Sequence, residues 1–355
     1  MLNDFLKLFR RIAGRKFTSG KRPISCLNAE SARLCNLECL QCATHASEAK
    51  RRSNCANFTT GTMSVETFSK IIPILDQVEA LNLDNHGEPL LNKNLEKIIS
   101  LARTSAPHIR ITMTSNFIRM NRDRAISILQ SGLDGIQVSV NGVTKQTYEK
   151  IMRGARYEKL LENLSTFSEV KSEIPNQLTT FSACMTTMRS NIDELIKLPA
   201  FLSEFGINLI RINSLLPFSP YATTESLFDE PKWQSRLEKI YEKTVQEAQK
   251  YNIQIYHVLT QPKIEKCRYP VQNLSVSFDG EICPCWMLDL RDGYDFYYKG
   301  SPITFPFISF GNVNEKEILE IWNSIEFVSY RNQFKAGKLP SYCEMCPVGQ
   351  GLICG

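Results

Sequence analysis

Three thiols sit within eight positions of this chain. The stretch CNLECLQC places Cys35, Cys39 and Cys42 at the spacing C-x3-C-x2-C. Thiolates are soft anionic ligands that suit iron and zinc. Three from one loop can hold three irons of a 4Fe–4S cluster and leave the fourth iron open to another ligand. Zinc is the competing reading. A closed zinc site takes four ligands, usually from paired C-x2-C units. His45 is available as a fourth, but the gap between Cys35 and Cys39 is not the usual zinc spacing. A second set, Cys267, Cys283, Cys285, Cys343, Cys346 and Cys354, lies after residue 260. The remaining cysteines, Cys26, Cys55 and Cys184, read most simply as buried apolar residues.

The 355 residues are 43% hydrophobic and 22% charged, enough to bury a full core and to suggest two domains, or one barrel plus an appendage. A net charge of +5 is too weak to imply a nucleic-acid partner. The N-terminal stretch MLNDFLKLFRRIAGRKF carries Leu2, Phe5, Leu6, Phe9 and Ile12 near helical spacing. Charges interrupt every apolar run, so it is no signal peptide. It reads as a basic surface helix, with a membrane-surface or partner-docking helix as the alternative. No run has the apolar length of a membrane span. A cytoplasmic, reducing location is therefore expected, where twelve cysteines point to metal or redox chemistry rather than disulfides.

The elements that must position these thiols alternate between β and α periodicity. Strands are predicted around Ala32 to Cys35 and over 79–85, 108–116, 135–142, 178–188, 207–216 and 253–259. Helices are predicted over 64–78, 94–105, 124–132, 157–171, 191–206 and 232–251. Six β/α units imply a parallel sheet with helices outside it, either doubly wound or a partial barrel. After residue 260 a hairpin signal at Asp279–Gly280 and a helix over 314–334 point to a small α+β domain organised around cysteines. The expected division is 1–25, 26–260 and 261–355.

The first cysteine motif, placed just after a strand that opens β/α repeats, resembles that of radical S-adenosylmethionine (SAM) enzymes, and the resemblance runs from about residue 26 to 355. It implies a partial (β/α)6 TIM-type barrel and a 4Fe–4S cluster whose open iron chelates SAM. HGEP (86–89) resembles the family's Gly-Gly-Glu motif. Gly87 and Glu88 match it, and His86 replaces the first glycine. Glu88 is thereby implied to face the SAM ammonium, with a helix-capping role as the alternative. TSN (114–116) and SVNG (139–142) end the next two strands and imply Ser115, Asn116 and Ser139 as SAM contacts. Asn141 stands where the family usually has Asp. Arg153 matches an arginine near the SAM carboxylate in many relatives. The residue before Cys42 is Gln41, where an aromatic is common, so the adenine contact comes from elsewhere or is polar.

Cys267-x12-Gly280-x4-Cys285, followed by LPSYCEMCP, resembles the SPASM and twitch extensions of the same family. A twitch-type domain with one auxiliary 4Fe–4S cluster is expected. Its ligands would be Cys267, Cys285, Cys343 and Cys346, with Cys283 or Cys354 able to replace one. The resemblance implies a flavodoxin- or ferredoxin-type reductant, reductive cleavage of SAM, and hydrogen-atom abstraction by a 5′-deoxyadenosyl radical. A sugar- or aminocyclitol-like small molecule is the expected substrate, because the short segment before the barrel leaves no room for a peptide-binding domain. Oxidation is favoured over epimerisation, for which Cys184 and Cys354 are the candidate hydrogen donors. The alternatives are maturation of a ribosomal peptide and, outside catalysis, a zinc-stabilised binding protein.

Overall fold

The computed structural model describes residues 23–46, 59–175, 177–227, 231–258, 267, 269–291, 293–298, 301–344 and 346. The basic N-terminal helix expected over 1–25, apart from its last residues, and the cysteines Cys55 and Cys354 lie outside the described residues.

Seven strands follow one another in space as they do in sequence. They are β1 (Ile24–Ala29), β2 (Val78–Asn82), β3 (Arg110–Ser115), β4 (Gly135–Ser139), β5 (Thr180–Thr187), β6 (Leu209–Ser214) and β7 (Gln254–Val258). Every neighbouring pair among them is parallel. Parallel neighbours need a crossover after each strand, and helices such as Leu95–Ser105, Arg122–Gln130 and Tyr157–Glu173 supply it. The architecture is α/β, a partial (β/α)6 barrel with a small C-terminal α+β part.

Side chains alternate along the strands as the pleat requires. Leu27, Leu81, Ile111 and Val138 are fully buried in the main apolar core. Each contributes roughly 1.5–3 kcal/mol by leaving water. Their strand neighbours Asn28, Asn82, Thr112 and Gln137 line an interior cavity instead.

The C-terminal part continues the same sheet. β8 (Asn273–Val276) runs parallel to β1, with Cys26 opposite Asn273. β9 (Ile282–Cys283) returns antiparallel to β8. Between them is the turn anticipated at Asp279–Gly280. Gly280 has φ +97°, and a Cβ there would lie 2.6 Å from Asn312 Oδ1. A second hairpin, β10 (Tyr294–Tyr298) with β11 (Ser301–Phe305), was not legible in the sequence. Phe296 on it is buried 5.8 Å from the Phe218 ring, and Tyr297 N–H donates to Pro217 O at 2.9 Å. Phe296 and Tyr297 of β10 are therefore packed against the segment that follows β6.

Three sequence expectations need correction. The first strand is Ile24–Ala29, not Ala32 to Cys35. Beyond Ala29 the backbone leaves the ladder, and Ser31 and Arg33 N–H groups donate to Leu83 O and Gly61 O. The helix expected over 64–78 ends at Ser69 and continues as a 3-10 turn, Ile72–Gln77, with Pro73 in its first turn. The helix expected over 314–334 is two helices, Ile318–Trp322 and Ile325–Lys335, because Ser324 caps the second through Phe327 N–H at 3.2 Å.

Candidate active site

The cysteine loop leaves the C-terminal end of β1, where parallel barrels place their chemistry. One side of it is hydrogen-bonded to the segment after β4: Glu38 N–H donates to Arg153 O at 2.9 Å and Leu40 N–H to Ile151 O at 3.0 Å. Between those carbonyls, Met152 Sδ lies 3.6 Å from Cys39 Sγ. The other side meets the loop after β2, where Glu88 N–H donates to Leu34 O at 2.7 Å. Gly87 makes that approach possible, since a Cβ would lie 2.3 Å from Ala32 O and 2.5 Å from Leu34 O.

Cys35, Cys39 and Cys42 sit on this one loop, with Cys35 and Cys42 both near enough to act on Cys39. Burial, and then the neighbouring thiols, push Cys39 well above its usual range, and burial pushes Cys35 up to about 12. Asn116 Nδ2 reaches Asn36 Oδ1 at 3.0 Å and lies 3.9 Å from Cys35 Sγ.

Glu88 lies beside this loop, 2% exposed. Its carboxylate accepts from Ser115 Oγ at 2.6 Å, Asn116 N–H at 2.7 Å and Leu90 N–H at 3.0 Å. The last of these caps the 3-10 turn Pro89–Leu91, so the capping role is real. Those donors do not offset the loss of water, and burial raises Glu88 to about 7. Ser115 and Asn116 thus hold Glu88. Ser139 Oγ lies 3.7 Å from Cys184 Sγ, and burial pushes that thiol up to about 11. The pairing of Ser139 with Cys184 and of Cys184 with Arg211 puts Cys184 on the interior face. Asn141 is structural: Oδ1 accepts from Thr186 N–H at 2.9 Å and Nδ2 lies 3.1 Å from Met152 Sδ. The Arg153 side chain is exposed. Gln41 Oε1 is buried without a hydrogen-bond partner among the described residues.

Cys267, Cys285, Cys343 and Cys346 also converge, lining one pocket with Tyr269, Met287, Phe305 and Phe334. Burial and then Cys346 raise Cys285, with Cys267 and Cys343 adding to the effect. Cys283 is directed elsewhere, near Asp289, Glu281 and Arg33.

Inside the barrel is a cavity of about 340 Å³. Its charged lining is Asp84, Arg110 and Arg211. A hydrogen-bonded row crosses it: Asn28 Nδ2 donates to Tyr269 Oη at 2.5 Å, Asn82 Nδ2 to Asn28 Oδ1 at 3.2 Å and Thr112 Oγ1 to Asn82 Oδ1 at 3.4 Å. Burial raises Asp84. Cys26, expected among apolar residues, lines this cavity, and burial pushes it up to about 12. The polar alternation on β1 to β4 was the signal that could have located this lining. Tyr269 and Trp286 had none.

Two family models match the chain. The Radical SAM superfamily model covers residues 30–202, and the SPASM iron–sulfur cluster-binding domain model covers residues 267–347. The chain belongs to the radical SAM superfamily. A radical SAM enzyme uses a 4Fe–4S cluster and SAM, and a SPASM domain implies auxiliary iron–sulfur binding. Both thiol sets have the soft donors those groups need, although among the described residues no three ligands stand as close as those of a single metal ion, and the buried Glu88, with no cation beside it among the described residues, fits a ligand that brings positive charge. The tungsten-containing aldehyde ferredoxin oxidoreductase cofactor-modifying protein of Pyrococcus furiosus is 21% identical, over 88% of this chain and 84% of its own. A probable GTP 3',8-cyclase of Saccharolobus islandicus is 24% identical over 55% of this chain, which spans only 58% of that relative. The crystal structure of Streptococcus suis SuiB bound to S-adenosylmethionine shares the fold, with TM-score 0.64 and 15% identity over 93% of this chain and 72% of that one. Among the described residues no helix is long and apolar enough to cross a membrane.

Proposed function

We propose that this radical SAM enzyme carries out a net two-electron oxidation of a small polar molecule, sugar- or aminocyclitol-like, held in the barrel cavity. The supporting observation is the placement of Tyr269, which lines both that cavity and the pocket of Cys267, Cys285, Cys343 and Cys346. The two sites share one wall.

Cys35, Cys39 and Cys42 hold the first cluster. Gly87 and Glu88 receive the SAM ammonium, Ser115 and Asn116 fix Glu88, and Ser139 and Arg153 face other parts of the cofactor. Gln41 Oε1 is the polar acceptor offered to the adenine. When bound, these groups supply a 5′-deoxyadenosyl radical for hydrogen abstraction, with electrons from a flavodoxin- or ferredoxin-type donor, and an auxiliary cluster closed by four thiolates as electron acceptor. The polar row from Tyr269 to Thr112 orients hydroxyl or amino groups of the substrate, while the barrel excludes water. Cys184 lies 3.7 Å from Ser139, which on this reading contacts SAM. Inversion requires a donor on the opposite face, so its position favours oxidation.

The test presents the reduced holoenzyme with aminocyclitols, sugars and short peptides in deuterated water. A small polyol should stimulate 5′-deoxyadenosine formation, consume one SAM per product, take up no solvent deuterium and tolerate Cys184→Ala and Cys354→Ala. Deuterium at one product carbon, lost with either cysteine, would establish epimerisation. Turnover on peptides alone would overturn the substrate class.

Glu88 gives a pH prediction. Its folded value of about 7 lies above the ordinary 4.5. Between those values the folded SAM-free protein holds a proton that the unfolded chain has released. Its stability therefore falls as pH rises through that window. Asp84, Cys35, Cys39 and Tyr148 are the titratable groups whose charge bears on Glu88. A SAM ammonium favours the carboxylate, so binding below pH 7 must expel the proton. SAM affinity should weaken by up to about tenfold per pH unit below 7. Glu88→Gln should weaken binding about ten- to a hundredfold and flatten this dependence. Calorimetry from pH 6 to 8 checks both, and a flat wild-type profile rules the assignment out.

A further inference from the structure

The loop that carries Gly87 and Glu88 is tied to the iron–sulfur domain through one carboxylate. Asp289 lies four residues after Cys285, and its side chain is fully buried. Its Oδ2 accepts from Asn85 Nδ2 at 2.5 Å, and its Oδ1 lies 2.5 Å from His86 Nε2. Its backbone oxygen accepts from Arg33 Nη2 at 3.3 Å. Arg33 is itself paired with Glu30 at 2.7 Å, and Glu30 accepts from Phe278 N–H at 3.1 Å. One residue of the C-terminal part therefore holds both the stretch that leads into Cys35 and the stretch that leads into Glu88. His86 also links the two loops from its backbone, since Thr44 Oγ1 donates to His86 O at 3.3 Å. A glycine at 86 would lack the side chain that reaches Asp289.

We propose that Asp289 is a positioning residue for SAM binding. The iron–sulfur domain sets the geometry of Gly87 and Glu88 through the Asp289–His86–Asn85 contact, and His86 is in this chain to make that contact. This rests on the reading that Glu88 receives SAM. Buried contacts of this kind hold a loop in one arrangement, and an ammonium site loses affinity quickly when its carboxylate shifts.

The test uses the full-length chain with both clusters reconstituted. SAM binding is followed by calorimetry, and the two clusters are counted by iron analysis and Mössbauer spectroscopy. Asp289→Ala and His86→Ala should each weaken SAM binding at least tenfold while both clusters stay loaded. The double variant should be no weaker than the worse single one, which a general loss of stability would not produce. SAM affinity within twofold of wild type in either single variant overturns the proposal. So do additive effects, or loss of auxiliary iron in Asp289→Ala with His86→Ala unaffected. If Asp289→Ala does not fold, His86→Ala and Asn85→Ala, singly and together, carry the same test. Glu88→Gln runs in parallel. Unchanged binding there removes the reading of the SAM site itself, whereas weakened binding there with intact binding in the Asp289 and His86 variants removes only this inference.

Discussion

Replacing Cys35, Cys39 and Cys42 together with Ala should abolish 5′-deoxyadenosine formation and leave about half of the iron, the share held by the second set. The loop itself should survive. Its hydrogen bonds to Arg153 O, Ile151 O and Glu88 N–H run through backbone, not through sulfur. Removing the three thiols, of which burial raises Cys35 and Cys39, should therefore cost the chemistry far more than the fold. Iron content and dithionite-dependent SAM cleavage measure the two separately. If the triple variant still produced 5′-deoxyadenosine, the catalytic cluster would have to sit elsewhere.

The second large effect is expected at Gly87. Its φ is ordinary, so the constraint is space. An added Cβ would meet two backbone carbonyl oxygens, those of Ala32 and Leu34, which cannot rotate away as a side chain would. Either the loop before Cys35 retreats or Glu88 N–H loses its bond to Leu34 O. Forced overpacking of this sort costs about 1–3 kcal/mol of folding stability, and its relief by retreat of the loop moves Glu88 away from the position that receives SAM. Gly87→Ala should thus bind SAM poorly while the second thiol set keeps its iron. A variant with wild-type affinity would show that the loop yields without cost.

Sequence reading located what depends on residue type at fixed spacing. The C-x3-C-x2-C thiols share one loop, and Cys267, Cys285, Cys343 and Cys346 line one pocket, although 79 positions separate the first and last of these. Strand and helix order was legible because periodicity is a local signal. The first strand is Ile24–Ala29 and not residues 32–35, because the alternating ISCLNA forms the ladder and the chain leaves it before the cysteines. Asp289 gave no sign of its role. Its meaning comes from Asn85 and His86, about 200 positions earlier, and no local pattern encodes that meeting. The same holds for Tyr269, whose importance lies in standing between two cavities. The departure at His86, read as a lost family glycine, gains a physical reason only from its partner.

The position of β8 has a further consequence, one for how the chain is made. In the sheet, β1 is flanked by β2 on one side and by β8 on the other. The first of the described strands to be synthesised is thus completed by one of the last of them. Until residues 273–276 have emerged, Cys26 to Ala29 present an open row of backbone donors and acceptors, a surface that invites pairing with other chains. Contacts between such distant parts of a sequence form slowly. A nascent barrel of this protein therefore spends most of its synthesis with an adhesive seam, and the iron–sulfur segment acts as its closing stave. Cutting the gene before that segment would leave an unfinished sheet instead of a freestanding SAM domain.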